Sequence, residues 1–167
     1  MRGVQKRLMA ATVGILMTGG LVGCGGGDSA SAPTPVPAAP TKAAVTFNVD
    51  PNPVVSEYQG DGWWRFKVNL EFYDTAGVGF TVNTVRTTVQ SSVTNTILLD
   101  YDYSIASHVN ASGRTVLQFT SPIYRTLAGG GANVKFIANV TDDRGNAMTL
   151  SNQANVMRVG GPSAELP

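Results

Sequence analysis

Apolar residues recur at every second position through most of the chain beyond residue 44, the period of a β-strand with one buried face. Val45, Phe47 and Val49 alternate with Thr46, Asn48 and Asp50. Pro51 and Pro53 then end the run, because neither has an N–H for a strand ladder. The clearest strand is Trp63 to Asp74. There Trp64, Phe66, Val68, Leu70 and Phe72 point one way, and Trp63, Arg65, Lys67, Asn69, Glu71 and Tyr73 the other. Gly77 and Gly79 mark a turn, and Val82 to Val89 reads as a third strand. Ile97 to Tyr103 and Arg114 to Thr120 read as short strands around a polar loop at His108 to Gly113. Ser121 to Gly131, with Pro122 and three consecutive glycines, reads as a crossing loop. Ala132, Val134, Phe136, Ala138 and Val140 alternate again, Asp142 to Asn146 makes a hairpin turn, and Met148 to Val159 is the last strand. No stretch after residue 30 carries an apolar 3.6-residue period. The expected fold is all-β, an antiparallel β-sandwich of about seven strands, with a jelly roll as the competing arrangement.

The beginning of the chain has a different pattern. Arg2, Lys6 and Arg7 precede an uncharged run from Leu8 to Val22. That run is shorter than the roughly 20 residues a spanning helix needs, and its flanks are those of a helical secretory signal. It ends in Leu21-Val22-Gly23-Cys24, which resembles the lipobox of bacterial lipoproteins: an aliphatic residue, a small residue before the cysteine, then the cysteine itself. The resemblance covers residues 2–28. It implies that the Cys24 thiol takes a diacylglyceryl group, that residues 1–23 are removed, and that the new amino terminus is acylated, palmitate being the usual chain. A lone cysteine in an exported protein invites intermolecular oxidation, so lipidation also gives Cys24 a reason to exist. Two or more acyl chains anchor a protein stably, where one does so marginally. Gly25 stands where an aspartate would mark retention at the inner membrane, which directs the expectation to the outer membrane.

Residues 24–43 follow as a tether. Gly25 to Gly27 give flexibility, and Pro33, Pro35, Pro37 and Pro40 stiffen the segment towards polyproline geometry. It has little to bury and is expected to be disordered, with a reach of about 50 Å at full stretch. The domain occupies residues 44–160, and residues 161–167 are expected to be a disordered tail.

Composition and charge remove several functions. One Cys allows no internal disulfide and no Cys-x-x-Cys redox pair, and one His allows no multi-histidine metal site. The precursor carries 12 Lys and Arg against 11 Asp and Glu. Three of those cations leave with the signal, so the mature chain is slightly acidic and offers no electrostatic footprint for nucleic acid.

Within the domain, three features resemble the immunoglobulin-like and fibronectin III-like domains of bacterial surface proteins. These are Pro51-Asn52-Pro53 after an early strand, the Leu127 to Gly130 approach to a late strand, and the Thr141 to Asn146 hairpin between the last two strands. The resemblance spans residues 44–159 and implies an immunoglobulin-like sandwich. The chain lacks the inter-sheet disulfide and a clear tyrosine corner.

Candidate chemistry is sparse. Asp100 and Asp102 share a strand face, but a glycosidase needs two carboxylates across a cleft. Asp142 and Asp143 are potential calcium ligands without the twelve-residue ligand loop, and ordinary turn chemistry accounts for them. His108 sits in a polar stretch with no Gly-x-Ser-x-Gly elbow, and the glycine triple lacks the Lys and helix of a phosphate loop. The aromatic residues are the more suggestive group. Trp63 and Tyr73 lie opposite the core stripe of their strand and are candidates for ligand contact, and Tyr101 and Tyr103 share a face with Leu99. The expectation is a non-catalytic, lipid-anchored module of the bacterial envelope. It needs no cofactor or metal, is anchored to the membrane, and contacts an envelope protein or a glycan. An accessory subunit of an envelope assembly, pairing through a sheet edge, is the alternative, and a small hydrolase is the third.

Overall fold

The computed structural model describes residues 37–126 and 130–161. The signal segment, Cys24 and most of the tether lie outside these residues, as does the tail from residue 162. The described residues form an all-β structure of nine strands with no helix. The strands are β1 (Val45–Asp50), β2 (Val54–Gly60), β3 (Trp63–Asp74), β4 (Phe80–Ser91), β5 (Ile97–Val109), β6 (Arg114–Thr120), β7 (Tyr124–Arg125), β8 (Ala132–Asp142) and β9 (Ala147–Val159).

β3 is the spine. Its alternation runs unbroken over 12 residues, so one face is buried from Trp64 to Asp74. Its residues Asn69 to Asp74 pair with β1 on one side, and Lys67 to Tyr73 pair with β6 on the other. Its first residues pair instead with β2 and β7. β2 continues into a ladder in the order β2-β9-β8-β4-β5. The result is sandwich-like, with the β1-β3-β6 ladder packed across an apolar core from the wider one. Phe136 of β8 meets Phe66 of β3 at 6.3 Å and Phe119 of β6 at 5.7 Å, both nearly edge-on. Phe47 and Phe72 stack at 4.5 Å on neighbouring strands. Burying each such ring stabilises the fold by roughly 2–3 kcal/mol.

Several expectations change here. The strands number nine, and the pairing is mixed, because β2 runs parallel to β9. β2 follows directly after Pro53 and turns into β3 through Asp61 and Gly62, both at positive φ (49° and 78°), as a two-residue hairpin requires. β5 continues well past Tyr103, so His108 is a strand residue. The segment after Ser121 contains the short β7.

The strand directions give the domain two poles. The start of β1, the β3–β4 and β5–β6 loops and the β8–β9 hairpin share the lower pole. The β2–β3 turn, the β4–β5 turn, the segment from β6 to β8 and the end of β9 share the upper one.

One core position is polar without a partner. Thr87, on the inward face of β4, is fully buried, and its hydroxyl finds no hydrogen-bond acceptor or donor among the described residues. Thr87→Val keeps the shape and removes the unpaired hydroxyl, so chemical denaturation should show a gain of about 1 kcal/mol. A loss of stability instead would mean that the hydroxyl is bonded.

Candidate functional site

The lower pole is built around two carboxylates that continue the apolar stripes of β3 and β8. Asp142 accepts N–H bonds from Arg144 and Asn146 on one oxygen (3.0 and 2.8 Å), and from Ala43 and the Asn146 side chain on the other (3.0 and 2.9 Å). Asp74 accepts from Ala44 and Ala76 on one oxygen (3.1 and 3.0 Å), and from Val78 and Ser112 on the other (2.7 and 3.2 Å). Consecutive residues at the junction of tether and domain are therefore held by different buried aspartates, and Ala43 is itself buried. Burial alone pushes the Asp142 carboxyl up. The Asn146 side chain and the N–H groups of Asn146, Ala43 and Arg144 outweigh it and hold the group at about 2. The same opposition, won by the N–H groups of Ala76, Ala44, Ser112 and Val78, leaves Asp74 below the usual carboxylate range.

This geometry bears on the calcium candidates. The oxygens of Asp142 face N–H donors, an environment made for an anion and unfavourable to a cation. Asp143 turns outward, with its Oδ1 at 3.0 Å from His108 Nε2. Its N–H donates to the Gly79 carbonyl at 2.9 Å. A side chain at Gly79 would come within 2.8 Å of the Val109 carbonyl, so this close approach requires glycine. His108 and Asp143 thus link β5 to the β8–β9 hairpin across the surface.

The other acidic pair lies on the outer face of β5. Asp100 takes a two-pronged bond from Arg86, one arm at 2.8 Å, and a third from Thr88. The Arg86 bond comes first among the causes that lower the Asp100 carboxyl, and Asp100 in turn raises the Arg86 guanidinium. Asp102 stands opposite Arg86 on the same face, and no cleft separates the two carboxylates.

Trp63 and Tyr73 occupy opposite ends of β3, about 33 Å apart along the strand, and do not form one site. Trp63 is 37% exposed at the upper pole, with the Arg125 guanidinium 5.4 Å over its ring. Behind it, buried Trp64 carries Arg158 at 5.3 Å, and Arg158 also bonds Thr126 and the Gly130 carbonyl. Tyr73 is half-buried at the lower pole, between Thr46 and Arg114 in register.

A further feature lies between β5 and β6. Leu99, Tyr101 and Tyr103 stand opposite buried Val89, Thr87 and Val85, so they face inward. The narrower ladder ends at β6, and Tyr101 remains 46% exposed. Tyr103 packs on Phe119 at 4.6 Å and donates to the Thr120 carbonyl at 3.2 Å. A groove of about 380 Å³ opens beside it, lined by Leu70, Ser104, Ile105 and β6 from Val116 to Thr120. The tyrosines were legible as a shared face. That the face overhangs an unfilled position in the opposing ladder was not.

The Asp142 clamp predicts a specific acid response. A carboxylate held at about 2 in the fold, against roughly 3.9 unfolded, adds stability that is complete above pH ~5. That contribution declines as the pH falls through 4 towards 2. Asn at this position cannot titrate. Asp142→Asn should therefore lower the melting temperature at neutral pH and flatten its decline between pH 5 and 2. Parallel profiles for the two proteins would show that Asp142 is not the titrating clamp.

Comparison with known proteins adds architecture alone. No family model and no curated protein matches the chain. Among solved structures, a target of the Northeast Structural Genomics Consortium shares 7% identity at a TM-score of 0.51, over 67% of this chain and 86% of that one. A protein described as ApaA from Bordetella pertussis shares 7% identity at 0.49, over 68% and 94%. A protein from Archaeoglobus fulgidus shares 9% at 0.40, also over 68% and 94%. At such identities the first of these likenesses speaks to fold and to nothing finer.

Proposed function

We propose that this chain is a lipid-anchored bacterial envelope protein that displays a non-catalytic, immunoglobulin-like binding or structural module from a tether. The observation that carries the reading is the double fastening of the chain where tether meets domain, at Ala43 and Ala44. A lipid on Cys24 would pull at the lower pole, and the exposed Trp63 and the β2–β3 turn would face away from the membrane. Gly25 after the cysteine, where an aspartate would mark retention at the inner membrane, supports the outer membrane as its place.

The immunoglobulin-like reading is supported by connectivity. The chain crosses between the ladders from β3 to β4, from β5 to β6 and, by way of the short β7, from β6 to β8, in the Greek-key manner of such sandwiches. The non-catalytic reading is supported by the engagement of the groups a hydrolase would use. Asp100 is bound to Arg86, and Asp142 to main-chain amides. The partner is an envelope protein or a glycan.

The test is fractionation of bacteria expressing the full chain. The wild type should take up labelled palmitate and sediment with membranes. Cys24→Ala should lose the label and, like globomycin treatment, accumulate unprocessed precursor. Unchanged processing, labelling and fractionation in Cys24→Ala would refute the anchor.

A further inference from the structure

We propose that the free edge of β6 receives a linear segment of a partner protein as an added strand, seated beneath the inward-facing Tyr101, Tyr103 and Ile105 of β5. The proposal names the partner class for the binding-module reading and rests on it.

The edge is defined by main-chain parity. Gly113 accepts from Asp74 of β3 through its carbonyl, and Ser121 donates to Phe66 of β3 through its N–H. In an antiparallel pair a residue's N–H and C=O point to the same side, and the side alternates along the strand. The odd-numbered residues of β6 therefore bond to β3, and Val116, Gln118 and Thr120 present their main-chain groups outward. Among the described residues, β6 pairs with β3 alone. Of these outward groups, the Thr120 carbonyl alone is engaged among the described residues, by the Tyr103 hydroxyl. Proteins commonly blunt such edges with charge or proline. From Thr115 to Thr120 this edge has neither, and Val116 is 44% exposed.

The second observation is the unequal width of the two ladders. A strand added at the usual spacing of about 4.8 Å from β6 would lie where the narrower ladder ends, under the inward face of β5. Its main chain would pair with Val116 and Gln118, and every second side chain would enter the groove beside Tyr103 and Ile105.

Steric and area arguments choose the occupant. A second copy would bring its own β5 to its own β6, on the same inward side, and the two overhangs would compete for one space. Contact along the seven residues of β6, about 24 Å, also covers only a few hundred Å², well below the ~1,200 Å² of a stable globular interface. A lone strand has no second layer and is held by main-chain bonds with alternate side chains in pockets. The fitting segment is extended and uncharged on its inward face, with apolar residues at every second position.

The test uses the full chain in detergent micelles, panned against a phage-displayed library of random nine-residue linear peptides. Enriched peptides should alternate apolar and polar residues and should slow hydrogen exchange at the amides of Val116 and Gln118. Gln118→Pro removes an outward N–H without touching the β3 ladder, and it should weaken binding about tenfold or more. Tyr101→Asp, at an exposed position, should do the same by placing a charge over the added strand, and it serves should the proline variant fail to fold. Enrichment of no peptide, or undiminished binding by both variants, would overturn the proposal. So would a dimer that Gln118→Pro dissolves. Binding of an oligosaccharide array in place of peptides would overturn the peptide and leave the module reading intact. Membrane fractionation of Cys24→Ala is independent of all these outcomes.

Discussion

Carboxylates surrounded by amide N–H groups hold the lower end of this fold together. A buried charge is costly unless its hydrogen-bonding capacity is met, and both Asp74 and Asp142 meet it with donors from separate segments. Asp74 joins the tether to the β3–β4 and β5–β6 loops, and Asp142 joins it to the β8–β9 hairpin. Each loop thereby loses freedom that its own sequence would not restrict. The apolar stripes of β3 and β8 can be packed down to their last residue because the final inward position is a satisfied anion rather than a frayed end. In the proposed lipid-anchored state these bonds lie in the line of force between membrane and domain.

The second constraint is the mismatch between the ladders. β3 serves both, so the narrower one ends at β6 while the wider one extends to β5. The outer edge of the wider ladder is protected. β5 carries Asp100 and Asp102 on its outer face and is bulged near Ala106, a non-glycine residue at φ 53°. β6 has no comparable protection, and Tyr103 caps only its far end. The apolar groove therefore follows from topology, and it sits beside the uncharged edge of β6.

Much of this was legible in the sequence, and the exceptions have physical causes. The 12-residue alternation of β3 and that of β8 read directly, because every inward position is apolar until the last. That last position is Asp in both strands, and carrying the alternation one step further would have placed Asp74 and Asp142 inside. β2 was hidden because its inward stripe, Val54-Ser56-Tyr58, is interrupted by a serine whose hydroxyl accepts from Tyr124 in the core. The Asp61-Gly62 pair was the available signal for its turn. β5 ran longer than read because the bulge disturbs its alternation. The groove had no local signal: Tyr101 and Tyr103 show a shared face, but whether a strand covers that face depends on pairings between residues distant in sequence. Trp63 and Tyr73, alike by pattern, lie at opposite poles and have no common role as a site.

The tether joins the domain through two main-chain amides held by buried carboxylates. Site-resolved hydrogen exchange at Ala43 and Ala44 in the full chain tests it directly. These amides should exchange orders of magnitude more slowly than Lys42. Asp142→Asn should release Ala43 and Asp74→Asn should release Ala44. Exchange at both positions as fast as at Lys42 in the wild type would contradict the account.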